Sequence, residues 1–209
     1  MKFYDCQSAP SPRRVRILMA EKNIVIETIQ VDLAKGEHFK DGFTTINPHR
    51  TVPVLELDNG VKLLDSMSIS LYLDEVFPGP RLTGETPEER AVIAMWQREM
   101  EMNGFEAVIE CFRNSSKGFQ GRALPGPIHY EQIPALAERG RLRVRQFFAD
   151  LNRRLGDSPF VAGKRFSVAD ITALVSVDFA RAIKEPVPED AVALKRWHAD
   201  LSARPSAKA

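Results

Sequence analysis

The sequence predicts an α/β domain followed by an all-helical domain, and three observations support this fold class. The first third of the 209-residue chain alternates between strand-like and helix-like hydrophobic periods. Strand-like patterns disappear beyond residues 78–87, which are rich in proline, glycine and threonine. A hydrophobic content of 44% provides for one sizeable core or two smaller adjoining cores. We therefore expect an α/β domain over residues 1–78 and a helical domain over residues 86–209.

The composition argues against several classes of function. Lys and Arg number 29 against 28 Asp and Glu, and a net charge of +1 gives no overall field that would hold a nucleic acid. The amino terminus lacks the pattern of a signal peptide, and no apolar run reaches the roughly 18 residues of a membrane-spanning helix. Only two cysteines occur, and no Cys/His cluster has the spacing of a zinc site. We expect a cytoplasmic protein with no metal and no membrane partner.

The first elements of the chain are a strand, a helix and a second strand. Residues 2–5 have a short strand pattern, and Pro12 begins a helix that continues to Lys22 with Ser11 as its N-cap. Residues 26–32 then alternate as a second strand. A strand that follows a crossover helix favours a parallel βαβ arrangement.

A hairpin and a helix complete the predicted α/β domain. Asn59-Gly60 separates two short apolar strands, and this dipeptide is the strongest short-range signal for an antiparallel hairpin. A helical pattern begins near Ser66 and ends before Pro78. The first domain therefore has the order β-α-β, a linking segment, then β-β-α.

Helical patterns dominate the second domain. Thr86 begins a long helix with a capping box, and apolar residues along this helix recur at helical spacing, which predicts one stripe that faces the core. The members of this stripe are Met95, Met102, Phe105, Ile109 and Phe112. A helix over residues 134–155 carries four arginines at alternate positions between 139 and 145, which we expect to be solvated. Ser167 begins a third, largely apolar helix, which should form the centre of the domain.

One local feature of the first domain, the loop from Cys6 to Pro12, favours an anion or a thiolate. The loop joins a strand to a helix N-terminus, where unpaired N–H groups and the helix dipole provide positive potential. Arg13 and Arg14 in the first helical turn add positive charge there. The alternative for this loop is an ordinary capped turn with exposed arginines.

Two further features suit the ends of a peptide-like ligand. A cis bond before Pro53 would leave the Val52 backbone free to pair with such a ligand, whereas a trans proline would merely begin the strand. The Ser66 hydroxyl can bind a carboxylate and Asp65 can bind an ammonium, which together suit an α-amino acid end. A plain N-cap is the alternative for this pair.

Short motifs along the chain are weak alone but informative in their order and spacing. These motifs are Ser11-Pro12-Arg13-Arg14-Val15-Arg16, Asn47-Pro48, Val52-Pro53-Val54-Leu55, Leu64-Asp65-Ser66, Phe160-Val161-Ala162-Gly163, Phe166-Ser167-Val168-Ala169-Asp170-Ile171 and Arg204-Pro205-Ser206. Over nearly the whole chain they resemble the bacterial cytosolic glutathione S-transferases. The resemblance implies a thioredoxin-like domain of order βαβ-α-ββα, a helical bundle domain, glutathione as co-substrate and a homodimer.

The resemblance also implies which residues bind glutathione. Val52, which precedes a proline that the family keeps cis, would pair its backbone with the cysteinyl part. Asp65 and Ser66 would hold the γ-glutamyl end. His38 falls where plant-type relatives contact the glycyl carboxylate, and Lys40 is a nearby substitute.

The residue that activates the thiol departs from the family pattern. Many serine-type relatives would carry the catalytic hydroxyl at the position that is Ala9 here. Counting from the Ser11-Pro12 pair, as in the beta class, gives Ser8, so the resemblance implies Ser8 as first choice and Ser11 as second. Cys6 lies about two residues before the position of a beta-class or glutaredoxin-like cysteine. Tyr4 lies near the position of a tyrosine-type phenol, but in different surroundings.

The predicted function is transfer of glutathione to a small electrophilic, largely apolar acceptor, which would rest beside the helix that carries Met100 and Met102. Two alternatives stay open: a non-catalytic carrier of glutathione or hydrophobic ligands, and a thiol-disulfide oxidoreductase that uses Cys6. The lack of a Cys-x-x-Cys pair weighs against the oxidoreductase. An isomerase or dehalogenase specialisation is a third alternative, although the Ser-Ser-Cys motif expected of the isomerases is absent.

Overall fold

The computed structural model describes residues 1–209 as a sheet with three helices followed by an all-helical unit. The elements of the first unit are β1 (Lys2–Asp5), α1 (Pro10–Glu21), β2 (Glu27–Gln30), α2 (Asp41–Thr44), β3 (Val54–Glu56), β4 (Lys62–Leu63) and α3 (Ser66–Val76). The helical unit contains α4 (Pro87–Glu99), a π-helical segment (Met100–Phe105), α5 (Glu106–Ser115), α6 (Pro134–Asp157), α7 (Val168–Phe179) and α8 (Val192–Ser202). The predicted α/β plus all-α class is confirmed. None of the helices combines the length and the apolar composition needed to cross a membrane.

The sheet has the strand order β2-β1-β3-β4. β1 and β2 are parallel, with Lys2 opposite Glu27, while β1 pairs antiparallel with β3 and β3 pairs antiparallel with β4. The parallel βαβ unit and the antiparallel hairpin are therefore confirmed. β2 is shorter than the predicted strand over residues 26–32, although the N–H of Val31 still donates to the carbonyl of Asp5 at 2.7 Å.

Helix α1 begins at Pro10 rather than at Pro12. Its N-cap is Ala9, whose extended backbone places Pro10 at the first helical position, and no side chain caps this end. The prediction of Ser11 as N-cap is therefore wrong. Ser11 instead occupies the second position of the helix, between two prolines.

Two apolar clusters lie on opposite faces of the sheet, because successive strand residues point to opposite sides. Phe3 and Leu55 belong to the large core that α1, α3 and the helical unit share. Tyr4 and Val54, the neighbouring residues on the same strands, belong to a smaller cluster. That smaller cluster also contains Cys6, Val31, Phe43 and Val52. Two of the predicted site segments therefore rest on the face of the sheet that is turned away from the large core.

The predicted apolar stripe of the long helix is interrupted where Met100–Phe105 form π-helical turns. The wider i→i+5 pairing changes the angular spacing of side chains, so residues before it and after it do not stay in one line. Phe105 is buried, whereas Met95 is 59% and Met102 43% exposed. The prediction of one continuous core-facing stripe is therefore wrong at these two methionines.

The four arginines of α6 form ion pairs, which corrects the prediction that they are simply solvated. The arginines occupy every second position, so they form two pairs whose members are four residues apart. Residues four apart lie on the same side of a helix. The partners are Glu110 for Arg139 and Arg143, and Glu185 for Arg141 and Arg145. These contacts connect α6 to α5 and to the segment that follows α7.

Candidate active site

A cavity of about 760 Å³ lies between the two units. Three segments of the α/β unit form one side: the loop from β1 to α1, the segment that follows β2, and the residues just before β3. The other side consists of the second half of α5, the loop after it, and the end of α7. The cavity therefore brings together segments that are far apart in the sequence.

Ser8 and Ser11 both line the cavity at the N-terminus of α1. Pro10 and Pro12 have no N–H group, so Ser11 is the only one of the first three helical residues that offers a backbone donor. Ser11 thus presents an N–H and a hydroxyl together, and Ser8 adds a second, exposed hydroxyl. Ala9, which lies between them on the lining, provides no side-chain donor.

Cys6 and Tyr4 lie outside the cavity lining. Cys6 is 6% exposed, and its Sγ lies 3.5 Å from Oγ of Ser8. The Tyr4 hydroxyl donates to a carboxylate oxygen of Glu56 at 2.8 Å. Burial, this hydrogen bond and the charge of Glu56 raise the pKa of Tyr4 to about 12. The phenol is thus bound within the sheet and stays protonated at neutral pH.

Arg13 and Arg14 do not face the loop that was expected to carry their charge. Arg13 donates to Asp178 of α7 at 2.7 Å. Arg14 is 7% exposed, donates to Glu101 at 3.0 Å, and stacks over the Phe105 ring at 4.1 Å. Both side chains bind the helical unit because α1 packs against it. The interpretation that they add positive potential to the loop, and its alternative of exposed arginines, are both wrong.

Val52 lines the cavity with backbone groups that have no partner in the chain. The Val52–Pro53 peptide bond is cis. Pro53 is buried behind the lining, and the ladder between β1 and β3 begins beyond it, at the pairing of Tyr4 with Val54. The free N–H and C=O of Val52 can therefore pair with the backbone of an extended peptide.

Asp65 and Ser66 lie outside the cavity lining. Asp65 is the N-cap of α3: its carboxylate accepts from the N–H groups of Met67 and Ser68, both at 2.9 Å. Ser66 is 4% exposed and borders a separate cleft of about 10 Å³ that Arg14 also lines. That volume holds no more than about one water molecule. The N-cap alternative for Asp65 is therefore observed, and its exposed carboxylate can still accept from an ammonium.

His38 lines the cavity, whereas Lys40 is exposed outside it. The His38 ring stacks on Phe39 with 3.9 Å between centroids, and its Nδ1 is buried with no partner in the chain. Burial lowers the pKa of His38, and the positive charges of Arg122, Arg113 and Arg50 lower it further. The lowered pKa favours the neutral imidazole, and one of its ring nitrogens is buried without a partner.

Four cationic residues on the lining, Lys35, Arg50, Arg113 and Arg122, were not predicted from the sequence. Arg50 could have been found, because it lies between the Asn47-Pro48 and Val52-Pro53 motifs, two residues before Val52. Arg113 follows Phe112 of the predicted stripe, but a stripe of apolar residues gives no reason to select the neighbouring cation. Arg122 lies in a long loop that carries no local signal.

Apolar side chains of the helical unit complete the cavity. Ile109 and Phe112 of α5 lie beside Phe179 of α7, and the Phe112 and Phe179 rings are 5.2 Å apart between centroids. Met100 and Met102, the residues expected to lie beside an acceptor, do not line this cavity. Both belong to the π-helical segment, in which Met100 is buried in the core and Met102 is exposed. The apolar wall of the cavity therefore lies about two turns further along the chain.

The arrangement combines a hydroxyl-rich helix N-terminus, unpaired backbone groups, an apolar wall and several cations. Such a site can orient a peptide thiol, stabilise its thiolate and hold an apolar group against it. No group of three or more His, Cys, Asp or Glu side chains lies close enough together to hold a metal ion.

Family models match most of the chain. The model described as glutathione S-transferase, N-terminal domain, matches residues 3–81. The model described as glutathione S-transferase, C-terminal domain, matches residues 134–200. The two matches fall on the α/β unit and on the helical unit respectively.

Individual relatives match over the whole length. Glutathione S-transferase 2 of Saccharomyces cerevisiae is 36% identical, over 100% of this chain and 88% of the yeast protein. Among solved structures, a glutathione S-transferase domain-containing protein of Marinobacter aquaeolei is 40% identical, with a TM-score of 0.91 over 99% of both chains. Gtt2 of Saccharomyces cerevisiae has a TM-score of 0.90 at 36% identity, over 100% of this chain and 99% of the yeast chain.

Proposed function

The chain belongs to the glutathione S-transferase family, and from this premise we propose that it activates the thiol of glutathione and conjugates it to a small electrophilic, largely apolar acceptor. The observation that supports this most is the composition of the 760 Å³ cavity. One side offers peptide-pairing groups and hydroxyls, and the other side offers an apolar wall. The domain over residues 1–78 would bind glutathione, and the domain over residues 86–209 would provide the acceptor side.

Glutathione would bind through the α/β unit in this proposal. The free Val52 backbone pairs with the cysteinyl part and places its sulfur near the N-terminus of α1. His38 or the nearby Lys40 contacts the glycyl carboxylate. Asp65 and Ser66 hold the γ-glutamyl end at the start of α3, beyond the edge of the cavity. The structure supports these contacts most at Val52, whose partnerless N–H and C=O lie on the lining.

Ser8 and Ser11 would stabilise the thiolate. A free thiol has a pKa near ~8.5, and lowering it by about two units requires about 2.7 kcal/mol. One hydrogen bond to a charged group supplies about 1.5–3 kcal/mol, and a helix dipole supplies about 0.3–1 kcal/mol. Because Ser11 offers both its hydroxyl and its N–H, it contributes more here than the Ser8 hydroxyl alone.

The thiolate then attacks the electrophilic carbon of the acceptor. A C–S bond forms with the sulfur electron pair, and the leaving group departs with the electrons of its own bond. Ile109, Phe112 and Phe179 hold the apolar part of the acceptor in position, which raises its effective concentration beside the sulfur. Detoxification of electrophiles in the cytoplasm is the cellular role that we propose.

A homodimer is a further part of the proposal. Exposed apolar side chains on α3 and α4 support it: Leu71 is 48% and Met95 59% exposed. An oxidoreductase that uses Cys6 has less support, because this thiol is buried and outside the cavity lining. A carrier would bind glutathione tightly and conjugate none of a broad panel of electrophiles.

Titration of the bound glutathione thiol tests the activation scheme. We expect Ser11→Ala and Ser8→Ala each to raise the pKa of bound thiol by up to about one to two units, since each loses one charge-assisted hydrogen bond from a hydroxyl while the N–H of residue 11 remains. Thiolate absorbance against pH, in the glutathione complex of each variant, measures this. Ser202→Ala, on the exposed end of α8, is the control and should leave the pKa unchanged. Unchanged pKa values in both cavity variants would contradict the scheme.

A further inference from the structure

The cavity carries a charge that the apolar acceptor described above does not require. Lys35, Arg50, Arg113 and Arg122 line it, and no Asp or Glu does. None of the three arginines forms an ion pair in the chain, although many other arginines of this protein do. Lys35 pairs with Asp32, but the three arginines beside the cavity repel each other, and a bound anion would offset that repulsion.

Arg113 and Arg122 form the helical-side part of this charge. The Arg113 guanidinium lies 4.5 Å, and that of Arg122 5.9 Å, from the centroid of the Phe119 ring. Burial lowers the pKa of Arg113, and the charge of Arg122 lowers it further. Both cations therefore lie near the same aromatic ring on the helical side of the cavity.

Arg113 and Arg122 differ in how many of their N–H groups have partners within the chain. Nε of Arg113 donates to the carbonyl of Ala123 at 3.1 Å, and another of its nitrogens donates to the carbonyl of Arg122 at 2.6 Å. Arg113 therefore fixes the backbone that carries Arg122. Arg122 uses one terminal nitrogen on the carbonyl of Gly118. Its other N–H groups have no partner in the chain and are available to an anion.

Glutathione accounts for only part of the charge. The tripeptide has two carboxylates, and the proposed contacts place one at the start of α3 and one beside His38. His38, Lys35 and Arg50 belong to the α/β unit, whereas Arg113 and Arg122 belong to the same side as Ile109 and Phe112. Arg122 lies near both sides of the cavity, since its guanidinium is 5.9 Å from the centroid of the Phe119 ring and 5.5 Å from that of the Phe39 ring. Its free N–H groups can therefore also reach an anion in the space that the acceptor would occupy.

We propose that the acceptor of this transferase carries an anionic group such as a carboxylate, which Arg122 binds directly while Arg113 positions Arg122. The acceptor is then amphipathic: its apolar ring or chain packs on α5 and α7, and its anion points to the loop after α5. This inference rests on the proposed transferase function. It adds a class of substrate that the apolar wall alone would not select.

Two acceptors, one with a carboxylate and one with an uncharged amide in its place, test the inference. A chlorodinitrobenzoate and the corresponding chlorodinitrobenzamide react at the same kind of carbon: the thiolate adds, a C–S bond forms, and chloride leaves with the electrons of the C–Cl bond. Rates are divided by the spontaneous rates with glutathione, so that differences in intrinsic reactivity cancel. We expect the parent protein to prefer the carboxylate in kcat/KM.

Arg122→Met should remove that preference. We expect kcat/KM for the carboxylate to fall about tenfold to a hundredfold, the range that one charge-assisted hydrogen bond supplies. The value for the amide and the KM for glutathione should change by less than about twofold. Arg122→Lys should restore part of the preference, since lysine keeps the charge but cannot donate two parallel hydrogen bonds to one carboxylate. Arg90→Met, an exposed arginine of α4 outside the cavity lining, controls for loss of one positive charge.

Two results would overturn the inference. In one, the carboxylate preference is absent from the parent or persists in both Arg122 variants. In the other, Arg122→Met weakens both acceptors and raises the KM for glutathione, because the arginine then binds the tripeptide. If the parent binds glutathione but turns over neither acceptor, the proposed function fails. Calorimetry with the two finished conjugates then decides the inference separately, since tighter binding of the carboxylate conjugate should still depend on Arg122.

Discussion

Two regions of this protein take charged groups out of bulk water, and they treat them in opposite ways. Around Asp170 in the helical core, a fully buried carboxylate accepts from every donor that faces it. Those donors are the N–H of Val161 at 2.8 Å, the N–H and hydroxyl of Ser167 at 3.0 Å, and Nε1 of Trp197 at 3.2 Å. In the cavity wall, Nε of Arg50 and Nδ1 of His38 are buried without a partner, and the Arg122 side chain forms one hydrogen bond within the chain, to the carbonyl of Gly118. The first region holds the fold through a carboxyl group whose hydrogen bonds are satisfied within the chain, and the second leaves polar groups unpaired on the cavity wall.

Substitutions in the two regions should therefore change different quantities, the free energy of unfolding in the first and ligand binding in the second. A buried polar group that is satisfied within the chain stabilises one conformation, and its removal leaves its partners unpaired. A group left unsatisfied contributes little to folding, so its removal affects binding instead. Each of the following experiments tests one side of this difference.

Asp170→Ala should cause the largest loss of stability. It leaves three buried N–H donors, those of Val161, Ser167 and Trp197, without an acceptor. At about 1–3 kcal/mol each, partly relieved by relaxation, we expect a loss of about 3–5 kcal/mol at pH 5 in urea unfolding. Asp200→Ala, at an exposed position of α8, is the control and should change stability by less than about 0.5 kcal/mol.

The loss should also depend on pH with a defined sign. Burial raises the pKa of Asp170 from 3.8 to about 6. The folded state therefore holds the proton more tightly than the unfolded state, so this group contributes less stability as pH rises from about 4 to about 6. The difference between the parent and Asp170→Ala should be about 1 kcal/mol smaller at pH 7 than at pH 5. A difference that grows with pH would contradict this interpretation.

Arg16→Met and Arg50→Met compare a paired arginine with an unpaired one. Arg16 donates to fully buried Asp5 at 2.5 Å, whereas Arg50 has no acidic partner, and in both residues Nε is buried without an acceptor. We expect Arg16→Met to cost about 3 kcal/mol, because Asp5 keeps only its bond from Gln30, and Arg50→Met to cost less than about 0.5 kcal/mol. Equal losses in urea unfolding would mean that Arg50 also holds the fold.

The smallest effect concerns the titration of His38. Because the charge of Arg122 lowers the pKa of this imidazole, Arg122→Met should shift it upward toward the ordinary value of about 6.5. NMR titration of the ring protons of the protein without glutathione measures the shift. Arg90→Met should leave the titration unchanged. A downward shift, or none, would show that the cavity charges do not act on His38.

The elements of the fold were predictable where the sequence carries a local signal. Asn59-Gly60 predicted the hairpin, the pattern over residues 2–32 predicted the parallel βαβ unit, and Ser66 marked the start of α3. These signals depend on spacing and turn chemistry within a few residues, which a single sequence shows directly. The start of α1 was misplaced because two neighbouring prolines both fit a first helical position.

The site was predictable only in part. Ser8, Ser11, His38 and Val52, proposed from the sequence, do share one cavity, but Asp65 and Ser66 lie beyond its edge. The arginines of the wall were missed for a physical reason. Whether an arginine is paired depends on which acid the fold brings near it, and Glu101 and Asp178, the partners of Arg14 and Arg13, are more than eighty residues away in the sequence.

By itself, the sequence determined the order of the elements, the two-part architecture and the segments of the α/β unit that line the cavity, because hydrophobic period, caps and turns act over short distances. Only the tertiary structure decided which charges are neutralised. It turned Arg13 and Arg14 into the interface between the units and left Arg113 and Arg122 without acids beside the cavity. Electrostatic pairing acts through space between distant segments, so the unpaired arginines beside the cavity became visible only when those segments were brought together.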